Sequence, residues 1–322
     1  MAIIDLRFTN VNHPLPSFIY KQMESYVAAS NRYFHQPEDL RHALAERHNV
    51  DPGMISLVAG IDQAILVMSA LYGSRTHIFT PTYVGYCDAK RFGTLTEHKS
   101  LHEDSYSINS AMLPDATLIF LANPNNPAGT TPGGKIIELV ANNPQAKVFI
   151  DEAFGDFAND SVAHLAKAHA NMIVARSFSK GFALAGMRIG YVIARPELLA
   201  DLELETTWFN VSNPSIGGAL SALSHESHFE KIRAGIVTER NQTATFLIDR
   251  GYRVIRGSIN AILLRFDNQT LARTFVTTLE EHDILVHQGN GASNMGLDQS
   301  FVRLAIGAPE QMAAFRAVVG GL

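Results

Sequence analysis

Between about residue 55 and residue 195 the chain alternates short apolar runs with stretches of helical period. Ile55-Ser-Leu-Val58 reads as a strand followed by a helix over 62–72, and Thr76-His-Ile-Phe-Thr80 as a strand followed by a helix over 83–92. Further strands are predicted at 96–101, 116–122, 147–150, 172–176 and 189–194, with helices between several of them. Short continuous apolar runs bounded by turn signals suit strands buried on both faces. Their alternation with helices implies an α/β fold, a mostly parallel sheet covered by helices on both sides. Beyond Pro196 the pattern changes. A helical stretch ends at the break Ser212-Asn-Pro-Ser215, and helix is predicted from Ile216 through about Arg250. Alternating strands follow at 251–256 and 262–266, then a helix from Leu271 to His282, strands at 284–287 and 301–306, and a last helix opened by Pro309. The expected division is a large α/β domain over 30–225 and a smaller α+β domain over 226–322.

Composition narrows the class without naming it. Of 322 residues, 46% are hydrophobic and 18% charged, which fits a packed globular chain and excludes long disorder. A net charge of −5 gives no reason to expect nucleic acid or an anionic membrane as a partner. No window approaches the roughly 18 apolar residues that a membrane span needs. The one cysteine, Cys87, allows no internal disulfide, and Met1-Ala-Ile-Ile-Asp-Leu-Arg7 lacks a basic stretch leading into an apolar run. A cytoplasmic protein is expected. Thirteen histidines are scattered without a spacing that marks a metal site, so no catalytic metal is expected.

Candidate chemistry gathers at three predicted strand ends. The first is Ser177-Phe-Ser-Lys-Gly-Phe-Ala-Leu-Ala-Gly-Met-Arg-Ile-Gly-Tyr191, after the apolar Met172–Ala175. A lysine there can form a Schiff base with a carbonyl, while Ser177, Ser179 and Arg188 can hold a phosphate. Those are the needs of pyridoxal phosphate. The second is Asn123-Pro-Asn-Asn-Pro-Ala-Gly-Thr130, after 116–122; the third is Asp151-Glu-Ala-Phe154, after 147–150. Open parallel sheets bind ligands at the carboxyl ends of their strands. A pyridine ring needs an acid at its nitrogen, a donor at its phenolic oxygen and a lysine at its aldehyde, and Asp151, Asn126 and Lys180 are of those types. Each has a bland reading: a surface Ser-Lys-Gly loop, an Asn-Pro turn, an Asp that caps a helix. Their joint occurrence at strand ends is the signal.

On these motifs the chain resembles fold-type I pyridoxal-phosphate enzymes of the class I/II aminotransferases, most closely the histidinol-phosphate aminotransferase subgroup. Five more segments carry the resemblance: Asn10-Val-Asn-His-Pro14, Asn31-Arg-Tyr-Phe-His-Gln-Pro-Glu-Asp-Leu-Arg41, Val58-Ala-Gly-Ile-Asp-Gln-Ala-Ile65, Thr80-Pro-Thr-Tyr83 and Phe301-Val-Arg-Leu-Ala-Ile-Gly307. It implies that the cofactor lies in the 30–225 domain and that segment 1–29 joins the smaller one. It implies Lys180 as the covalent attachment point and proton shuttle, Asp151 at the pyridinium nitrogen, Asn126 at the phenolic oxygen, and Tyr83 stacked on the ring with Phe154 nearby. Ser177, Ser179 and Arg188, with backbone N–H groups around Gly60, Ile61 and Asp62 at a helix start, would hold the phosphate. Tyr33 matches a position that reaches the phosphate from a neighbouring subunit, which implies a homodimer with shared active sites. Arg303 would pair with a substrate α-carboxylate, and Asn12 and Asn126 would also face the substrate.

Two positions depart from the family pattern. Phe154 stands where the family usually has tyrosine, and His287, in Ile284-Leu-Val-His287, stands where it often has arginine. The leading expectation is an aminotransferase that moves an amino group between an amino acid, or a histidinol-phosphate-like amine, and a 2-oxo acid. The alternative is a decarboxylase of an amino-acid phosphate. The Asp-Glu-Ala-Phe pattern and Thr207-Trp-Phe-Asn-Val-Ser-Asn213, around Trp208, resemble threonine-phosphate decarboxylases. A non-catalytic cofactor-binding protein is a third reading. Gln288-Gly-Asn-Gly-Ala-Ser-Asn-Met-Gly296 reads as a flap over the substrate or as a plain surface loop.

Overall fold

The apolar runs fold into strands whose residues are almost all buried: neither Leu118–Ala122 nor Met172–Ser177 has an exposed position. The computed structural model describes residues 3–33, 37–205, 210–290 and 294–321. Thr207, Trp208 and Phe209 lie outside the described residues, as do 34–36 of the Asn31–Arg41 motif and 291–293 of the glycine-rich loop.

The large sheet has seven strands: β1 (Ile55–Val58), β2 (Arg75–Thr80), β3 (Thr94–Lys99), β4 (Leu118–Ala122), β5 (Lys147–Glu152), β6 (Met172–Ser177) and β7 (Gly190–Ile193). Their spatial order is β1-β7-β6-β5-β4-β2-β3. The run from β6 to β3 is parallel, and β7 is antiparallel to both of its neighbours. Residues 178–189 between β6 and β7 form only short turns, including the single helical turn Phe178–Gly181, and hold no helix long enough to carry a parallel crossover. Alternate side chains enter two cores. Ile119, Leu121, Val148, Ile150 and Val174 pack on one face. Leu118, Phe120, Phe149, Ile173 and Ala175 pack on the other. The edge strand β3, Thr-Leu-Thr-Glu-His-Lys, has no buried residue, and its charged side chains guard an edge open to pairing.

Three predicted elements differ in detail. The helix expected over 83–92 is a 3-10 helix, Val84–Arg91, whose buried residues Tyr86 and Ala89 are spaced for a three-residue turn. The helix expected from Ile216 to Arg250 is two, Asn213–Ser224 and Glu226–Asp249, broken at His225. The His225 ring stacks on Phe18 with centroids 3.9 Å apart, so tertiary packing holds the break. The 284–287 strand also divides. Ile284–Leu285 pairs in parallel with Ile4–Asp5, and His287–Gln288 joins a four-stranded antiparallel sheet.

That second sheet comprises β8 (Arg253–Ile255), β9 (Ala261–Arg265), β10 (His287–Gln288) and β11 (Phe301–Ala305), in the order β8-β9-β11-β10. Leu6 from the N-terminal segment is buried in its core with Leu247, Phe275 and Phe315. The helix Glu226–Asp249 contributes Phe229 to the large-sheet core and Ala244 and Leu247 to this one. Among the described residues, no helix is long and apolar enough to cross a membrane.

Candidate active site

Because β4, β5 and β6 are adjacent and parallel, the segments that follow them leave the sheet along one edge. A cavity of about 450 Å³ opens there. From the three strand ends come Asn126, Asp151 with Phe154, and Ser177 with Ser179 and Lys180. Ile61, Asp62, Tyr83 and Arg188 complete the sequence-derived part of its wall. Gly60 lies directly behind it. At φ +80° its backbone is left-handed, and a Cβ there would stand 2.5 Å from Arg188 Nη2. Glycine thus brings the start of helix Ile61–Tyr72 against the Arg188 guanidinium.

Lys180 sits in the single turn Phe178–Gly181, whose start is capped by Ser177 Oγ accepting from the Ser179 N–H at 3.0 Å. Its Nζ donates to Thr9 Oγ1 at 2.8 Å and to the Thr9 carbonyl at 3.1 Å, and lies 5.6 Å from the centroid of the Phe154 ring. Burial, reinforced by the Arg303 and Arg188 charges, lowers the lysine pKa to about 8. The neutral amine, the form that can act as a nucleophile, is thus reached near pH 8 instead of above pH 10.

Asp151 is 6% exposed. Its Oδ2 accepts from the Tyr86 hydroxyl at 2.9 Å and its Oδ1 from the Ala153 N–H at 2.9 Å. Burial raises its pKa to about 6, against the pull of those two hydrogen bonds. Under the strand ends, Arg176 of β6 bridges Glu152 of β5 at 2.8 Å and Asp156 at 2.6 Å, and Arg47 reaches Asp156 at 3.0 Å. Paired buried charges of this kind fix the segments that bear Asp151 and Lys180 relative to one another.

Asp62 receives two donors, the Tyr83 hydroxyl at 2.8 Å and Arg188 Nη2 at 2.7 Å. Phe154 is buried against Ile259 and Ala261. Asn126 Oδ1 accepts from Arg303 Nη1 at 3.2 Å, and Arg303 Nη2 donates to the Arg7 carbonyl. Arg303 is 1% exposed, and burial lowers its pKa to about 10. It stands behind Asn126 rather than in the cavity wall. Across β10 and β11, His287 pairs in register with Arg303 and meets Phe8 edge-on at 6.1 Å. Burial and the Arg303 and Arg7 charges lower the His287 pKa to about 4, so its ring is neutral at pH 7.

Beyond Gly60 and Arg303, which lie behind the wall, two more expected residues lie off the cavity. Asn12 Nδ2 donates to Gln311 Oε1 at 3.2 Å, and Tyr33 is 81% exposed on the surface. Their neighbours were not anticipated: Phe8, Thr9 and Asn10 line the cavity. Asn10 belonged to a motif already singled out. Nothing in the sequence pointed to Thr9 or Tyr86, whose partners Lys180 and Asp151 are 171 and 65 positions away.

Set against known proteins, residues 5–319 match the family described as Aminotransferase class I and II. A histidinol-phosphate aminotransferase of Methanococcoides burtonii is 34% identical over 267 residues, 81% of this chain and 71% of that protein. Histidinol-phosphate aminotransferase 3 of Mesorhizobium japonicum is 30% identical over 324 residues, 95% of this chain and 85% of that protein. The crystal structure of the histidinol-phosphate aminotransferase from Clostridium acetobutylicum superposes with a TM-score of 0.90, covering 99% of this chain and 98% of that one. At 22% identity that likeness speaks for the fold alone.

Proposed function

This chain belongs to the class I and II aminotransferases, and from that premise we propose how its residues divide the work and which substrates they suit. It is a pyridoxal-phosphate-dependent aminotransferase. The bound cofactor supplies an electron sink for the bonds at an amine-bearing carbon. The residues present fit such a group. A buried amine of lowered pKa, a buried carboxyl and a glycine-started helix beside Arg188 face one cavity. Lys180 would attach the cofactor and carry the proton at the substrate's α-carbon. Asp151 holds a proton at the ring nitrogen. Arg303 engages Oδ1 of Asn126, which leaves the Nδ2 side of that amide as donor to the phenolic oxygen. Tyr83, which lines the cavity, would cover the ring of a bound cofactor. The backbone of Gly60, Ile61 and Asp62, with Ser177, Ser179 and Arg188, binds the phosphate.

The single observation that carries this reading is the convergence of Lys180, Asp151 and Asn126 from three neighbouring strand ends on one cavity. For the substrates we propose an unphosphorylated amino acid and a 2-oxo acid, since a neutral His287 offers no charge to a substrate phosphate. A decarboxylase remains the second reading because Phe154 lies below the Lys180 amine and has no hydroxyl to offer the cofactor. The test mixes holoenzyme with glutamate, aromatic amino acids, histidinol phosphate and phosphothreonine. The expected result is oxo-acid formation with conversion to pyridoxamine phosphate, fastest with an unphosphorylated amino acid. Carbon dioxide release without that conversion would promote the second reading.

Arg303, with its planar fork, is the proposed partner of the α-carboxylate. Arg303→Ala should raise the KM for the amino acid about 10- to 100-fold, because a charge-assisted hydrogen bond contributes about 1.5–3 kcal/mol. Steady-state kinetics showing an unchanged KM would remove that role.

We also propose a cytoplasmic homodimer with shared sites, each chain built as a 30–225 unit, a 226–322 unit and an N-terminal segment 1–29 that packs with the second. The burial of Leu6 in the small-sheet core supports this division for the start of the segment, whereas its helix Ser17–Ala28 packs on Asn213–Ser224 and buries Ile19 in the large-sheet core. Tyr20, Val27 and Tyr33 are all more than half exposed along one N-terminal stretch, which suits a surface that a second copy covers. Lys180→Ala subunits mixed with Tyr33→Ala subunits should recover activity, roughly a quarter of wild type if subunits exchange at random. Full activity in a sedimenting monomer would refute the shared site.

A further inference from the structure

A lysine that forms and breaks a covalent bond in each turnover needs a defined place for its amine when it is released. Its four-carbon stem is flexible, and a wandering amine would meet the substrate at random angles. In this chain two oxygens of one residue meet Nζ, Thr9 Oγ1 at 2.8 Å and Thr9 O at 3.1 Å. We propose that Thr9 is the dock of the Lys180 amine, a positioning residue whose hydroxyl and carbonyl hold Nζ at the cavity wall whenever the amine has no covalent partner. This rests on Lys180 being the reactive lysine.

Thr9 is itself held in place. It is 6% exposed, and its carbonyl also accepts from Asn260 Nδ2 at 3.1 Å. Asn260 is fully buried and is tied to the chain after β11 by Ile306 N–H donating to its carbonyl at 2.9 Å. Upstream, Arg303 Nη2 donates to the Arg7 carbonyl, and the Ala305 N–H donates to the Leu6 carbonyl at 2.8 Å. The second sheet therefore anchors three carbonyls of the segment Leu6–Thr9 and sets Thr9 over an amine that belongs to the first sheet. The arginine proposed to bind the substrate carboxylate sits in the same clamp. An acceptor here also has an electrostatic effect. Arg303 and Arg188 disfavour the ammonium, Asp62 and Asp151 favour it, and the two Thr9 oxygens add hydrogen bonds that favour it.

The test uses the full-length chain freed of cofactor and labelled with trace acetic anhydride over a pH series, with Lys180 acetylation read by peptide mass spectrometry. The wild-type midpoint is expected near 8. Thr9→Val keeps the shape but loses the hydroxyl acceptor, so the ammonium is less favoured and the midpoint should move down by roughly half a pH unit or more. Thr9→Ser should restore it. In the holoenzyme, Thr9→Val should lower kcat about three- to tenfold with KM within about twofold. Should the valine variant not fold, Thr9→Ala replaces it in the same comparison. A midpoint unchanged in the variant, or a serine variant that behaves like valine, overturns the dock. Borohydride reduction of the wild-type holoenzyme separates the two readings: a label on another lysine defeats the Lys180 assignment itself, whereas a label on Lys180 with coincident midpoints defeats only Thr9.

Discussion

Lys180→Ala is expected to lower turnover by about 10⁴-fold or more, because one amine is proposed to serve as both attachment point and proton carrier, and a positioned acid–base group alone is worth roughly 10²–10⁴-fold. The variant should still bind the cofactor, since the proposed phosphate contacts at Gly60, Ser177 and Arg188 do not involve the lysine. Borohydride treatment of the wild-type holoenzyme should fix a pyridoxyl group on Lys180, found by peptide mapping, and Lys180→Ala should carry none. A reduced group on a different lysine in the wild type would remove Lys180 from the mechanism. The lowered pKa also has a consequence for stability. A lysine depressed from 10.5 to about 8 contributes stability above its ordinary pKa that is lost as pH falls through 8. At pH 7 the cofactor-free chain therefore buries its ammonium at a cost, which Lys180→Met, keeping most of the stem, should relieve in a thermal melt.

Asp151→Asn should cost about 10²–10⁴-fold in turnover, the range for a positioned ionisable group, while leaving covalent attachment at Lys180 intact. The amide is nearly isosteric, and the Tyr86 hydroxyl that now donates to Oδ2 can turn to accept from the new Nδ2. The same change should stabilise the cofactor-free chain at alkaline pH. Asp151 is an acid with its pKa raised from 3.8 to about 6, so its contribution to stability is present below 3.8 and lost as pH rises through 6. The difference amounts to at most about 3 kcal/mol. Melting curves of the two cofactor-free proteins should coincide at about pH 4 and separate in favour of Asn at pH 8. A wild type that melts at the same temperature as the variant at both values would show that the Asp151 carboxyl is not strained by burial. Loss of activity with gain of stability is what a residue kept for chemistry produces.

Much of the fold was legible because it is written locally. The apolar runs at 116–122, 147–150 and 172–176 needed only short windows to read as buried strands. The polar residues that follow them belong at one edge as soon as the strands are parallel. Lys180, Asp151 and Asn126, with Arg188, group on that basis from the sequence alone, and family resemblance added Gly60 and Arg303. Other features depend on what meets what after folding. That β7 runs antiparallel, that Asn213–Asp249 breaks at His225, and that 84–91 winds as a 3-10 helix follow from connection length and side-chain packing. The partners of the reactive groups are of this second kind. A threonine hydroxyl, a tyrosine hydroxyl or a carbonyl looks the same in sequence whether it faces water or a buried amine. Only the clamp of β11 and Asn260 on Leu6–Thr9 brings Thr9 to Lys180, and only the packing of Tyr86 in the large-sheet core brings its hydroxyl to Asp151. The residue types capable of the chemistry, and the strand ends that carry them, were set by the sequence alone. How basic the lysine is, how acidic the aspartate is, and where each side chain is held were decided by tertiary structure, because desolvation and hydrogen-bond direction exist only once distant segments are packed together.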